Sequence, residues 1–168
     1  PPGDPTIGAC LAGNLSGPLR HRFGAPRDLV LGVTLVLADG TIVIASGGGG
    51  IPVIEVGPKL IGREGVVDKD LAAAILARDV EASTLLILTD VQAVQRGFGT
   101  DHAEPIERMT AAEARELLEA EEFGAGSMGP KVEAAIQFVE KTGKRASIGS
   151  LKDIEKIVAG QAGTNVCP

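Results

Sequence analysis

An α/β fold, three αβα layers around a mainly parallel sheet, is what the larger part of this sequence predicts, and two observations predict it. A continuous apolar strand run at residues 83–88 (STLLIL) and a short strand at 145–148 alternate with segments whose apolar residues, such as Leu71, Ile75, Leu76 and Val80, recur at helical spacing. The core of the first run, residues 85–88 (LLIL), is apolar throughout, the pattern of a strand covered on both faces. An N-terminal β-hairpin with irregular loops precedes this rhythm and sets residues 1–43 apart from residues 44–168 as two regions.

Residues 1–28 are dense in Gly and Pro and show no period, so they read as turns and irregular backbone. Residues 28–37 (DLVLGVTLVL) form a strand, and the Asp39-Gly40 turn returns the chain into a second strand at 41–45. That β-branched run empties into Ser46 and four glycines, Gly47, Gly48, Gly49 and Gly50. It reads as a strand buried on both faces that ends in a bare loop. Such a loop lets a ligand approach its backbone N–H groups and cradles anions, with a flexible linker as the alternative.

Residues 51–56 form a short apolar run and 58–65 a loop. A helix begins at Asp68, and the strand at 83–88 ends in Thr89-Asp90. Thr110 and Glu113 stand at capping-box spacing and open a helix through Ala114, Leu117 and Leu118 that stops near Phe123-Gly124. Residues 126–131 open another helix, carried by Val132, Ala135, Ile136 and Val139. Ser150 caps a helix with Ile154, Ile157 and Val158, and residues 164–166 form a last edge strand.

The 168 residues are 44% hydrophobic, enough for one core or for a core with a smaller unit attached. No apolar run has the length of a bilayer span, and the start resembles no signal peptide, so a cytoplasmic location and no membrane partner are expected. The loop-like beginning without Met suggests a chain that starts inside something longer. Aromatics make up 2%, with no Trp or Tyr, and the net charge is −6, which argues against nucleic acid as a partner. Residues 1–43 are neutral, so the acidity belongs to the rest. Cys10 and Cys167 show no metal or disulfide spacing and are expected as reduced thiols, and His21 and His102 as surface residues. No metal ligands of the protein's own are expected.

Two lysines stand at the wrong ends of helices. Lys69 lies at one helix start and Lys131 in the first turn of another, both at the positive pole of a helix dipole, where a cation costs up to about 1 kcal/mol unless an anion joins it. The pair therefore points to a phosphate addressed by two helix N-termini, with solvated lysines as the plainer alternative. On the dipole argument alone, removing either lysine should leave ligand-free stability unchanged or slightly higher. Thr89 and Asp90 follow a strand directly, where open α/β sheets bind ligands, and Asp90 could hold a ribose or orient a lysine. No GxxxxGK[ST] occurs, so the phosphate site must be assembled from separate loops.

Two families are resembled. Residues 42–53 (IVIASGGGGIPV), 67–74 (VDKDLAAA), 86–91 (LILTDV) and 126–135 (GSMGPKVEAA) resemble, in order and at suitable spacings, the carbamate kinases of the amino-acid-kinase superfamily, over residues 42–168. The resemblance implies the C-terminal, nucleotide-binding half of an enzyme that transfers a phosphoryl group reversibly between ATP and carbamate, giving ADP and carbamoyl phosphate, with Mg2+ as the nucleotide's companion. It assigns Lys69 and Lys131 to the phosphates, Asp68, Asp70, Thr89, Asp90, Val91, Ser127, Met128 and Gly129 to the nucleotide, and the loop from Ser46 to Gly50 to the substrate side. It leaves a homodimer open. Gln95 and Gly97 stand where that family often carries an aromatic, so the base should pack more loosely.

Residues 6–8, 14–18, 22–33 and 37–40 resemble FAD-linked oxidases of the vanillyl-alcohol-oxidase type, which implies flavin contacts at Gly8, Ser16 and Gly17. That stretch is one wall of a two-walled site, so FAD is not expected to bind. The chain then reads as a chimera joined at a strand both sequences share. Two functions remain open: a phosphotransferase, or a module that binds ATP or ADP without turnover because the family's first half, with its own glycine loop and lysine, is replaced. A flavin-oxidase remnant is the third and weakest reading.

Overall fold

The structure, a computed structural model, describes residues 32–36, 40–46, 52–123 and 126–168. The expectations attached to Gly8, Cys10, Ser16, Gly17, His21 and Gly47 to Gly50 lie outside these residues. The chain divides into two compact units, Pro1–Gly50 and Ile51–Pro168.

In the first unit, β1 (Gly32–Val36) and β2 (Ile42–Ser46) pair antiparallel, with Val36 opposite Ile42 and Gly32 opposite Ser46. Gly40 takes φ +84° in the connection, the left-handed backbone for which the Asp-Gly pair was read as a turn. The two strands form a sheet of their own. Ile42, Val43 and Ile44 are exposed, so the strand buried on both faces is not observed. A two-stranded ribbon offers few neighbours to cover a side chain.

The second unit opens with a hairpin, β3 (Val53–Val56) and β4 (Lys59–Gly62), where a loop was expected after residue 57. Gly57, at φ +59°, takes the first central position of the two-residue turn that Pro58 completes. Then come α1 (Lys69–Asp79), β5 (Leu85–Thr89), the two-residue strands β6 (Gln95–Arg96) and β7 (Glu104–Pro105), and β8 (Arg108–Thr110). They are followed by α2 (Ala111–Glu119), α3 (Met128–Thr142), β9 (Ala146–Ser150), a 3-10 turn (Leu151–Asp153), α4 (Ile154–Val158) and β10 (Thr164–Cys167).

The helix starts follow the sequence closely. Asp68 caps α1 by accepting from the N–H groups of Asp70 and Leu71. Thr110 and Glu113 complete their capping box: the Glu113 N–H donates to Thr110 Oγ1 at 3.1 Å, and the Thr110 N–H to Glu113 Oε2 at 2.7 Å. The Thr110 N–H, and with it the Thr110 hydroxyl at 2.9 Å, donates to Glu113 Oε2, and these two bonds onto the carboxylate hold the Glu113 carboxyl below its usual range. The α2 helix closes at Ala120, earlier than expected, because Glu121 takes φ +55°. The Ser150 hydroxyl caps the 3-10 turn that leads into α4.

The strands β5, β9, β10 and β8 lie side by side in that order. The β5–β9 and β10–β8 pairings are parallel, and β10 runs antiparallel to β9. The last strand is therefore interior, not the edge expected, because β8, a three-residue strand hidden in the polar stretch around Met109, pairs on its far side. All five residues of β9 are buried. Ala146 and Ile148 join the main core with Val132, Ile136 and Val139 of α3, while Gly149, next after Ile148, faces Ile157 of α4. Alternate residues point to opposite faces, so helices cover both sides and the three-layer α/β arrangement follows. No described helix is long and apolar enough to cross a membrane.

Gly149 shows how tightly the thinner layer packs. A Cβ there would stand 2.8 Å from Ile157 Cδ1, 3.0 Å from Gly163 Cα and 3.1 Å from the Gln92 carbonyl oxygen, and two of these three are backbone atoms that cannot swing aside. Gly149→Ala is expected to cost about 1–3 kcal/mol by overpacking. At about 2–4 °C per kcal/mol for a chain of this size, thermal unfolding should register a drop of several degrees. An unchanged melting temperature would mean that α4 is not seated against β9.

Candidate functional site

Helix α1 leads through a short connection into β5, and α3 into β9, so each helix N-terminus returns to the carboxyl end of the strand it feeds. The lengths agree for the first pair. Eleven helical residues span about 16 Å and five strand residues about the same. Because β5 and β9 are parallel neighbours with Thr89 beside Ser150, both helix starts and the Thr89-Asp90 pair fall at one end of the sheet. That end is where open α/β sheets take ligands.

The two helix starts meet through Asp70. Lys131 Nζ lies 2.8 Å from Asp70 Oδ2, and Lys69 Nζ lies 3.2 Å from Asp70 Oδ1. The side chains of Lys131 and Asp70 are 8% and 12% exposed, whereas that of Lys69 is 58% exposed. Burial pushes the Asp70 carboxyl up, but the hydrogen bonds and charges of Lys131 and then Lys69 outweigh it and hold the group below the usual carboxylate range. One carboxylate thus stands between two ammonium groups, and the Asp68 carboxylate that caps α1 lies at the same helix start.

These termini differ. The first turn of α1 is capped by Asp68 and carries Asp70. The first turn of α3 has no acidic residue, and Ser127 at its N-cap makes no side-chain cap hydrogen bond. Pro130 brings no N–H, so the orphan donors at that helix start are those of Ser127, Met128 and Gly129. This is the more open anion-binding end.

The other expected site residues are placed as follows. Thr89 is half-buried and donates its hydroxyl hydrogen to Asp90 Oδ1 at 3.0 Å. Asp90 is exposed, and among the described residues the carboxylate that orients lysines is Asp70, not Asp90. Asp68 spends its carboxylate on capping. Val91 and Gly129 are half-buried, and Met128 packs against the core from the partly buried side. Gln95 begins the β6–β7 arm, and Gly97, at φ +62°, donates its N–H to Glu122 Oε2 at 2.9 Å. His102 is exposed and Cys167 carries a free thiol. Ser46 ends β2 in the other unit. The described residues contain no cluster of three or more His, Cys, Asp or Glu able to hold a metal ion.

Burial separates the two lysines and overturns the dipole expectation for one of them. Removing Lys131 strands a buried carboxylate, so Lys131→Ala should lower ligand-free stability by about 3 kcal/mol, the low end of the usual range because Lys69 stays. Lys69→Ala should change it by less than about 1 kcal/mol. Urea unfolding of the two variants side by side checks the asymmetry, and equal losses would contradict it. A second expectation concerns acid. Since the folded pKa of Asp70 is lowered, its contribution is fully present above the unfolded value of about 3.9 and is lost as pH falls through the folded value. Asp70→Asn should flatten the acid limb of stability against pH, and a limb of unchanged slope would show that Asp70 does not contribute to it.

Comparison with known proteins places this geometry. Residues 32–150 match the amino acid kinase family, and residues 2–46 match an FAD binding domain, so the two matches overlap across β1 and β2. The carbamate kinase of Halobacterium salinarum is 48% identical over 136 residues, 81% of this chain and 44% of that protein. The carbamate kinase of Pyrococcus horikoshii is 44% identical over 133 residues, 79% of this chain and 42% of that protein. The structure of carbamate kinase from Giardia lamblia bound to AMP-PNP aligns with a TM-score of 0.68 at 37% identity, over 71% of this chain and 42% of that one. The chain thus spans less than half the length of the curated relatives it matches. With a match across more than half of its residues, the chain belongs to the amino acid kinase family.

Proposed function

We propose that the chain is the nucleotide-side part of a carbamate-kinase-like phosphotransferase, acting in the reversible transfer of a phosphoryl group between ATP and carbamate to give ADP and carbamoyl phosphate. The observation that carries this reading is the Lys69–Asp70–Lys131 cluster at two adjoining helix N-termini. Phosphoryl transfer asks a protein for positioning and charge stabilisation more than for covalent chemistry. In this reading Lys131, fixed by Asp70, stands as a preorganised charge beside the transferred group. Lys69, exposed, meets the nucleotide phosphates, and the N–H groups of Met128 and Gly129 take further phosphate oxygens. Thr89, Asp90, Val91 and Met128 flank the nucleoside, while Ser46 and the glycine loop Gly47 to Gly50 serve the carbamate.

Magnesium does not fit a protein-built site among the described residues, because both Asp70 oxygens are engaged by lysines and no carboxylate cluster exists. It enters as the counter-ion of the nucleotide phosphates. A second reading, nucleotide binding without turnover, is favoured by the coverage of less than half of each relative. A cytoplasmic protein that forms homodimers is consistent with both readings.

Mg-ADP is the direct test. A ligand that binds only the folded state stabilises it by roughly 2.7 kcal/mol at a hundred times its dissociation constant, so the melting temperature should rise by several degrees, and FAD should give no shift. Lys69→Ala should reduce the ADP shift while leaving the ligand-free melting temperature in place. ATP formation from ADP and carbamoyl phosphate should be very weak, since each missing preorganised donor costs about 10²- to 10³-fold in rate. A melting curve indifferent to millimolar ADP would sink the reading in both forms, and robust turnover would remove the non-catalytic one.

A further inference from the structure

One buried hydroxyl closes a ring of three hydrogen bonds at the base of the arm that follows Asp90. Thr164, fully buried at the start of β10, accepts the Val94 N–H on Oγ1 at 2.8 Å and donates its hydroxyl hydrogen to the Ile106 carbonyl at 2.5 Å. The Ile106 N–H in turn donates to the Val94 carbonyl at 2.8 Å. The segment enclosed by this ring holds β6 and β7. Beyond the ring, the Asn165 N–H donates to the Glu107 carbonyl at 2.9 Å, so β10 continues the clamp. Farther along the arm, the Glu122 carboxylate accepts the Gly97 N–H and the Glu122 carbonyl accepts the Phe98 N–H at 3.3 Å.

The register puts this clamp beside the site. Thr164 lies opposite Ile148, and Ile148 opposite Ile87, three residues before Asp90 on the same end of the sheet. Reaching that place requires Gly163 at φ +71°, where a Cβ would stand 2.6 Å from the Ile148 carbonyl oxygen. The position demands a group that accepts one hydrogen bond and donates another within a few ångströms. A hydroxyl does both, and the isosteric valine does neither and orphans the buried Val94 N–H and the part-buried Ile106 carbonyl.

We propose that Thr164 is a positioning residue: it fixes the arm between Val94 and Ile106 in the shape that flanks the nucleoside, so that binding does not have to order the arm. This rests on the nucleotide-binding reading above and deepens it. The experiment uses the full 168-residue chain and two variants, Thr164→Val and Thr164→Ser. Amide hydrogen exchange is followed without ligand, and Mg-ADP affinity is measured by calorimetry. In Thr164→Val the amides of residues 94–106 should exchange about tenfold faster or more while those of β5 and β9 keep wild-type rates, and ADP should bind about tenfold more weakly. Thr164→Ser should restore both. Exchange that rises evenly through the sheet would reduce Thr164 to a general packing residue and overturn the proposal, as would a loosened arm with unchanged ADP affinity. A wild-type chain that binds no ADP is seen in the first titration and refutes the functional reading itself. The exchange data then decide the clamp separately.

Discussion

The arrangement at the carboxyl end of the parallel strands depends on one buried carboxylate. Asp70 sits in the interface of α1 and α3, and its charge is tolerable there because Lys131 meets it at 2.8 Å from the opposite helix and Lys69 at 3.2 Å from its own. Moving either charge away from water unpaired would cost several kcal/mol, so the pair specifies which turn of α1 faces which turn of α3. The neighbours on the same stripe of α1, Ala74 and Ala77, are small and buried, as are Ala134 and Ala135 of α3, so the helices approach closely enough for the bond to form. Two helix N-termini that would repel cations are thereby brought together with two lysines in place.

The rest of the site end follows from close packing. The 160–163 turn passes over β9 at Gly149 and delivers Thr164 into β10, where its hydroxyl meets the backbone of the chain descending from Asp90. Buried polar groups along β10 are all engaged. Asn165 Oδ1 accepts from Ser147 Oγ at 2.9 Å and from Arg145 at 3.2 Å, and the Arg145 guanidinium reaches the Val158 carbonyl. A polar interior strand is stable when each group finds its partner, and here the partners tie α4, β9 and β10 to one another.

Membership in the amino acid kinase family agrees with this construction, since an electrostatic cradle at the carboxyl ends of parallel strands suits the transfer of a charged group. The match to an FAD binding domain covers residues 2–46 and shares β1 and β2 with the kinase match. A hairpin rich in β-branched residues is compatible with many neighbours, which is a physical reason why two unrelated patterns coincide there.

The sequence by itself determined the local elements: Asp68, Thr110 and Ser150 fixed the helix starts through short-range hydrogen bonds, apolar periodicity placed α1 and α3, and the run at 83–88 gave β5. Local geometry suffices for these because each cap or stripe involves residues within a few positions of one another. It also located Lys69 and Lys131 at helix N-termini. Only the tertiary structure decided that Lys131 is buried and Lys69 exposed, and that Asp70 rather than Asp90 holds them, although the spacing of Asp70 with Ala74 and Ala77 on one helix face carried the signal. The strand around Met109, the interior place of β10, the β3–β4 hairpin and the Thr164 ring were likewise decided there. Most of these rest on contacts between residues tens of positions apart, such as Val94 with Thr164 and Asp70 with Lys131, and no local pattern encodes which distant partner a buried polar group will find.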